Sequence, residues 1–218
     1  MKKDIKNIIK HIIIVIFLFF IYTLVSAFSY ANTVSKDLSQ SVFRLHVIAN
    51  SDTVSDQSLK YKVRDNVLSY MNNLCSNIEN KDEAIEIAKN HQDDFYKIAK
   101  QTILDNGYDY DVNIKIGIFD FPTKQYGDIS FPAGSYDALR IEIGEAKGQN
   151  WWCVMFPPLC FVDMTSGVVP EESKKALEGS LSTEEEYILI NDDRSSDIQF
   201  KFKLVELFQN VKIKTAQN

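Results

Sequence analysis

The chain has 218 residues, 45% of them hydrophobic, and a formal net charge of −6 at pH 7. Residues 1–31 carry four lysines and one aspartate, a net charge of +3, so the remaining residues carry −9. An acidic chain has little attraction for phosphate backbones or anionic lipid head groups, and no Lys/Arg cluster with interleaved aromatic residues occurs here. Nucleic acid is therefore excluded as an expected partner.

A basic segment at the start of the chain precedes an uncharged apolar run over residues 12–28. This order is typical of a secretory leader, but the run is long for a signal peptide and short for a membrane span. Ser29-Tyr30-Ala31 supplies the small residues that favour cleavage after Ala31. We predict that residues 1–31 are a signal peptide or an N-terminal membrane anchor, with membrane contact limited to them if they are uncleaved. Residues 40–210 are predicted to form a single exported domain.

The next unit is a predicted strand followed by a predicted helix. Apolar residues alternate with polar ones over residues 43–48, which indicates a half-buried strand, and helical spacing of apolar residues begins at Leu59. Asn50, Ser51 and Asp52 offer N-cap oxygens between them. Polar residues crowd this strand–helix junction: Arg44, His46, Asn50, Ser51, Asp52, Asp56, Gln57 and Arg64.

Two interpretations of this polar cluster stay open. The first is capping and ion pairing, for example between Asp56 and Lys60, although surface pairs contribute only about 0–1 kcal/mol each. The second is that the cluster is exposed and binds a partner, because stability alone explains its density poorly. We favour partner binding and expect Arg44→Ala or Asp52→Ala to abolish function while folding stays nearly intact.

A catalytic role is a weaker hypothesis. Ser51, His46 and Asp52 are the right residue types for nucleophilic attack, but no G-x-S-x-G elbow, GxGxxG motif or P-loop occurs. The three histidines do not cluster in sequence with the cysteines as zinc ligands would. We predict no catalytic residue, no metal and no cofactor. The alternative is a secreted hydrolase that uses His46 with Ser51 or an Asp.

A second helix is predicted to begin near Lys81 and to end at Asn106-Gly107, where the glycine suits a helix C-terminus. His91 lies on its apolar face and is expected to be a core histidine that makes one hydrogen bond. A further short helix is predicted over residues 171–177. Residues 187–190 are apolar within a polar stretch, and residues 198–208 could be strand or helix.

Alternating apolar residues predict two further strands, over residues 112–118 and 138–143, with a loop between them, and residues 151–156 are predicted to form a third strand of the same sheet. Short turns between successive strands imply antiparallel pairing. The predicted fold class is therefore α+β, with an N-terminal strand and two helices packed on an antiparallel sheet and preceded by a hydrophobic leader helix.

The last predicted strand carries two adjacent tryptophans that would point to opposite faces. One of Trp151 and Trp152 is therefore expected in the core and one at the surface, where it favours partner contact. A purely structural aromatic corner is the alternative. Cys153 and Cys160 are candidates for a disulfide because of their spacing and the exported compartment, the alternative being two buried thiols.

Three segments together resemble the stage II sporulation protein R family of endospore-forming bacteria: RLHVIANSDTVSDQSLKYKVRD at 44–65, FPAGSYDALRIEIGEAKG at 131–148 and NWWCVMFPPLCFVD at 150–163. The resemblance implies a signalling protein that is made in the forespore and exported into the space between the forespore and mother-cell membranes. It further implies a protein partner there, a membrane-embedded aspartic peptidase of the mother cell that processes pro-sigma-E. The resemblance assigns no catalytic residues, because the family is not established as an enzyme. We expect the junction over residues 44–65 or the edge over residues 151–161 to contact the peptidase.

Overall fold

The computed structural model describes residues 2–75, 78, 80–126, 129–159, 169 and 171–181. Along the described chain three helices in succession are followed by five strands in succession, and this combination of helices with a mixed sheet confirms the α+β prediction. The helices are α1 Lys2–Ser41, α2 Val54–Leu74, α3 Lys81–Asn90, α4 Gln92–Asp105 and α5 Glu171–Ser180. The strands are β1 Phe43–Ile48, β2 Val112–Phe121, β3 Lys124–Tyr126, β4 Ile129–Phe131, β5 Gly134–Ile143 and β6 Asn150–Phe156.

The main sheet has four strands in the order β2-β5-β1-β6, and β3 and β4 form a separate hairpin. β2 pairs antiparallel with β5, and β1 pairs antiparallel with β6, but β1 is parallel to β5. The prediction of an antiparallel sheet is therefore wrong, because the sheet is mixed. The short-turn argument fails at β5 and β6, which do not pair with each other since β1 lies between them.

Strand β1 is buried along its whole length, not half-buried as predicted. Its central place in the sheet covers both of its edges, and an apolar layer covers each of its faces. Phe43, Leu45 and Val47 face the layer that α2, α3 and α4 provide. The opposite face meets a second layer, which contains residues from α1, the β3–β4 hairpin and α5.

The end of α1 is part of that second layer. Leu38 of α1 and Val42 directly after it have no exposed surface and pack with Phe131 and Leu177 among others. Lys81 supports this contact by donating a hydrogen bond to the carbonyl oxygen of Ser39 at 3.2 Å. Within the described residues, one segment of α1, Ile5–Ser26, is long and apolar enough to cross a membrane, and none of it is buried. An N-terminal leader or anchor is compatible with this helix.

The predicted second helix is in fact two helices that meet at His91. The His91 backbone leaves helical geometry, with φ −108° and ψ 19°, so α3 ends there and α4 begins at Gln92. The side chain is about one-third exposed and contacts both Tyr70 and Asp94 at 3.0 Å, so the prediction of a core histidine with one hydrogen bond is wrong.

Two other local predictions have clear outcomes. The predicted loop after β2 contains the β3–β4 hairpin, whose three-residue strands are too short to show alternation. The predicted short helix near residue 171 is confirmed as α5. The predictions for residues 187–190 and 198–208 lie outside the described residues.

Candidate functional site

The junction between β1 and α2, residues 49–57, is organised by a helix cap and a buried carboxylate. Thr53 is the N-cap residue, and its hydroxyl accepts a hydrogen bond from the Asp56 backbone N–H at 3.2 Å. Of the three predicted cap residues, none is the N-cap, because the helix begins at Val54. The side chains of Asn50, Ser51 and Asp52 are left to make other contacts.

Asp56 is 4% exposed and accepts hydrogen bonds from three side chains. Ser51 Oγ donates at 2.6 Å and Asn50 Nδ2 at 2.8 Å, both to Oδ2, while the Tyr110 hydroxyl donates to Oδ1 at 3.1 Å. Burial alone would raise the pKa of Asp56, but these hydrogen bonds outweigh burial and hold it below its ordinary value. The predicted Asp56–Lys60 pair does not form, since Lys60 Nζ donates instead to Gln57 Oε1 at 2.6 Å and to a backbone carbonyl.

The turn between β5 and β6 covers the junction. Because β5 and β6 flank β1, the connection between them crosses the end of β1. Asn50 Oδ1 accepts from the Glu145 N–H at 3.0 Å, and Asp52 Oδ1 accepts from the Gln149 N–H at 2.6 Å. The carbonyl oxygen of Ala49 accepts from the Gly148 N–H at 2.9 Å. These hydrogen bonds thereby join residues 49–52 of the junction to residues 145–149 of the turn, which are far apart in the sequence.

Glycine is required at both ends of this turn. Gly144 has φ +56°, and a Cβ there would overlap the side chain of Asn50. A Cβ at Gly148 would overlap the backbone carbonyl of Ser51. Beside the turn lies an open cleft of about 590 Å³, lined by Asn50, Ser51, Asp109, Tyr110, Asp111, Gly144, Glu145 and Lys147.

Arg44, which was predicted to be exposed, has no exposed surface. Its guanidinium carbon lies 4.1 Å from the ring centroid of Phe121 and 4.7 Å from that of Tyr136, and Nη2 donates to the Tyr126 hydroxyl at 2.7 Å. Within the described part of the chain no carboxylate pairs with it, so aromatic faces stabilise the cation. A partner cannot reach this side chain, and its burial leads us to expect that Arg44→Ala lowers stability instead of leaving folding intact.

His46 is also buried, at 4% exposure. Its ring stacks on Trp152 with centroids 3.6 Å apart, and Nε2 lies 2.7 Å from Asn150 Oδ1. Because that amide oxygen can only accept, Nε2 carries the hydrogen. Burial is the main reason that the pKa of His46 falls to about 4, so the imidazole is neutral at pH 7.

The hydrolase hypothesis needs His46 to contact Ser51 or an aspartate. His46 is instead bonded to Asn150, and Ser51 Oγ is committed to Asp56. These contacts do not form a nucleophile–base pair. Within the described residues, no group of three or more His, Cys, Asp or Glu side chains comes together to hold a metal ion.

An accessible cluster lies along the groove between α2 and β6, which we call the α2–β6 seam: Gln57, Tyr61, Arg64, Gln149 and Trp151. The Arg64 guanidinium lies 4.3 Å from the Trp151 ring centroid and 4.9 Å from that of Tyr61, and the two rings meet edge to face at 5.4 Å. Tyr61 is 39% exposed. Tyr61 was not among the predicted residues, although its place three residues before Arg64 on a helix could have indicated it.

The ten predicted partner-binding residues thus divide by exposure. Arg44, His46 and Asp56 are buried, Asp52 is exposed, and the others are partly exposed: Asn50, Ser51, Gln57, Arg64, Trp151 and Trp152. The two tryptophans do lie on opposite faces of β6, since Trp151 packs with the α2 layer and Trp152 with the opposite layer. Both are partly exposed, so the prediction of one core and one surface tryptophan is wrong, because each face of β6 is covered by a layer. Whether the accessible residues bind a partner stays a prediction.

The cysteines differ in state. Cys153 is disulfide-bonded and Cys75 is a free thiol. The predicted partner of Cys153, Cys160, lies outside the described residues, so the pairing stays a prediction.

Comparison with known proteins gives a consistent result. Residues 39–166, which include the junction, the seam and all of the main sheet, match the family described as Stage II sporulation protein R. The stage II sporulation protein R of Bacillus subtilis (strain 168) is 34% identical over 180 residues, which cover 78% of this chain and 80% of that protein. No solved structure matches the chain. The chain therefore belongs to the stage II sporulation protein R family.

Proposed function

We propose that this sporulation protein is an exported signal that activates a membrane-embedded aspartic peptidase of the mother cell, which then processes pro-sigma-E. Family membership and the apolar α1 support a sporulation role and export. The observation that carries the proposal is the α2–β6 seam, where Arg64 is stacked against Tyr61 and Trp151 at the surface.

The seam has the composition of a protein contact. Tyrosine, tryptophan and arginine dominate binding energy at protein interfaces, particularly where packing already restricts their side chains. Tyr61 and Arg64 are restricted by their mutual contacts, so their binding would cost little further conformational entropy. The seam is continuous with the exposed Asp52, whose carboxylate holds the Gln149 N–H next to Trp151.

The position of the seam also suits a partner outside the membrane that α1 enters. α1 precedes β1, whereas the junction and the start of β6 lie at the other end of β1. Six strand residues span about 20 Å. The junction and the adjoining part of the seam are therefore separated from the end of the leader helix and are free to meet the outer face of a peptidase in an opposing membrane.

Activation requires that the signal bind the active form of the peptidase better than the inactive form. A ligand with equal affinity for both forms shifts nothing, and a shift from 1:99 to 99:1 needs roughly a 10⁴-fold preference. The hydrogen bonds between the junction and the β5–β6 turn support such a preference, since they restrict how the seam is presented.

The test is a double substitution, Tyr61→Ala with Arg64→Ala, in cells that co-express the peptidase and a pro-sigma-E processing reporter. The matched control on α4 is Tyr96→Ala with Lys97→Ala, since Tyr96 is 43% and Lys97 71% exposed. We expect the seam variant to lose processing at least tenfold with unchanged secretion and thermal stability, and the control to process normally. Normal processing by the seam variant at equal secretion would refute the seam as the contact.

Asp52→Ala and Arg44→Ala distinguish the loss of a contact with the peptidase from a loss of folded protein. Asp52 is exposed, so its loss is expected to reduce processing while the chain remains folded. Arg44 is enclosed by aromatic rings, so its loss is expected to lower stability and reduce processing only through the amount of folded protein. Thermal melts of both variants beside the reporter assay distinguish the two effects.

A further inference from the structure

Strand β2 is an outer strand of the main sheet, and no other described strand pairs with its outer edge, which we call the open edge. The Gly144 N–H donates to the Asp111 carbonyl oxygen at 2.8 Å. The odd-numbered residues from Asp111 onward therefore direct their backbone N–H and C=O groups toward β5. The even-numbered residues consequently direct their backbone groups away from the sheet. Gln92 of α4 occupies one of these groups by donating to the Ile114 carbonyl oxygen at 3.0 Å. Within the described residues nothing occupies the outward backbone groups of residues 116, 118 and 120.

Within the described residues, this edge has few of the features that normally prevent strand addition: it carries the charged Lys115 and Asp120 but is long and regular. Natural edge strands are commonly short, bulged, interrupted by proline or covered. β2 has ten residues, pairs with β5 in an unbroken register and contains no proline. Ile118 is 72% exposed beside the open groups. The charge of Lys115 is paired with Glu142 at 2.9 Å.

We propose that a second copy of the chain pairs with this edge, antiparallel and centred on Ile118. Ile118 then lies opposite Ile118 of the other copy, and Ile116 lies opposite Asp120. Each of these pairs exchanges two backbone hydrogen bonds.

The side chains favour this self-pairing. The two Ile118 side chains form an apolar cross-strand pair, and on the other face Lys115 lies opposite Phe121. No like charges are opposed in this register. The same surface serves both copies, as a two-fold symmetric contact requires. The two four-stranded sheets become one continuous sheet.

Antiparallel pairing also reverses one copy relative to the other. The two β1 strands then run in opposite directions, so if each α1 continues the line of its β1, one flat bilayer does not accommodate both helices. Detergent micelles remove this constraint, and they allow the full-length chain to be tested.

Cysteine cross-linking tests the register in the full-length chain in detergent, with Cys75→Ser in every variant. Opposed residues that exchange hydrogen bonds have Cα atoms about 5.5 Å apart, within the range of a disulfide. Under mild oxidation Ile118→Cys is expected to give a covalent dimer, while Asp120→Cys alone does not. A mixture of Ile116→Cys and Asp120→Cys chains is expected to cross-link. A monomeric Ile118→Cys chain, or equal cross-linking by Asp120→Cys alone, would overturn the proposal.

A charge substitution tests the contact without oxidation. Ile118→Lys is expected to weaken self-association at least tenfold in sedimentation experiments, because it places two lysines opposite each other. Val54→Lys is the control, because Val54 is 88% exposed but lies at the start of α2 and not on β2. Equal self-association by both variants would overturn the proposal. A monomeric parent chain whose reporter activity is lost in Ile118→Lys would also overturn it, since the occupant would then be a strand of another protein.

Discussion

The hydroxyl of Ser51 donates a hydrogen bond to Oδ2 of Asp56 over 2.6 Å, and this contact holds the loop before α2 against the first turn of that helix. The acceptor is a buried carboxylate whose other contacts come from Asn50 and from Tyr110, 54 residues away. The polar density of the junction is thus partly structural, which leaves the accessible residues around it as the candidates for partner binding.

Asp56→Asn tests the importance of this carboxylate for stability. The amide cannot accept from all three donors, so we expect the free energy of unfolding to fall by about 1.5–3 kcal/mol, as for hydrogen bonds to charged groups. Urea denaturation measures the change. The control is Asp65→Asn, since Asp65 is 57% exposed and pairs with Arg64 at the surface, which predicts a loss of about 0–1 kcal/mol. Equal losses in the two variants would contradict the importance of the buried network.

Gly148→Ala tests the close approach of the β5–β6 turn to the junction. The new Cβ would overlap the Ser51 carbonyl, and this backbone group cannot move aside without breaking the junction. We expect a loss of roughly 1–3 kcal/mol, typical of overpacking.

The control for this substitution is Gly179→Ala in α5. A Cβ there meets nothing within 4 Å, so alanine should raise stability by about 0.5–1 kcal/mol through its helix preference. A neutral Gly148→Ala variant in the same denaturation series would show that the turn can move.

His46 predicts how stability depends on pH. The unfolded chain binds a proton at this residue below its ordinary pKa of 6.5, whereas the folded chain does so only near pH 4, chiefly because the ring is buried. The unfolded state therefore binds more protons between these values, and stability falls as the pH drops through this window. The slope approaches about 1.4 kcal/mol per pH unit.

The comparison variant is His46→Gln, which keeps a donor for Asn150 and does not titrate. Chemical denaturation at several pH values between 4 and 7 should show a shallower decline for this variant than for the parent chain. The carboxylate of Asp56 adds acid sensitivity only at lower pH, because its pKa lies below its ordinary value. Parallel curves for the two proteins would show that His46 is not the group responsible.

Local patterns predicted most of the secondary structure but not the pairing of the strands. The sequence around Leu59 correctly indicates α2, and alternation correctly indicates β2 and β5. The parallel pairing of β1 with β5 joins residues more than 90 positions apart, such as Arg44 and Ala138, and no local period encodes it.

The candidate site shows the same limit. Alternation places Arg44 and His46 on the polar face of a strand, which would be exposed in a strand covered on one side only. The aromatic rings that contact Arg44 and His46 belong to Phe121, Tyr136 and Trp152, which the fold brings together from distant segments. Asp52 stays exposed although it accepts from the Gln149 N–H, whereas Arg64 is only partly exposed because Trp151 of a distant segment packs against it.

Cys75 is expected to react slowly with alkylating reagents. Its pKa is raised to about 11, mainly because the thiol is buried and to a lesser extent because Glu83 is near. Little thiolate exists at pH 7, so labelling of the native chain should accelerate as the pH rises toward 11. Iodoacetamide labelling followed by peptide mass analysis measures the labelling rate of Cys75 at each pH.

The same labelling experiment tests the predicted disulfide. If Cys153 and Cys160 are bridged, neither is labelled and the intact mass is two daltons below the reduced value. Labelling of both would refute the bridge.

Truncation of the chain at two positions within and after α1 should separate the proposed export role of this helix from its structural role. Cleavage after Ala31 keeps Leu38 and Val42, which have no exposed surface, so a chain of residues 32–218 should melt close to the full-length chain. A chain of residues 43–218 loses both side chains from the layer against β1. Burial of each contributes about 1.5–3 kcal/mol, so the shorter chain should be less stable by several kcal/mol.

Leu38→Ala in the 32–218 chain is the graded version of the same test, with an expected loss of about 2–5 kcal/mol. Ser39→Ala is its control, because the Ser39 group that Lys81 contacts is a backbone carbonyl, which alanine retains. Equal melting of the 43–218 and 32–218 chains would show that the end of α1 is dispensable. The expected order instead makes residues 38–42 part of the folded domain, so that a peptidase cutting after Ala31 would release the domain without removing either buried side chain, Leu38 or Val42.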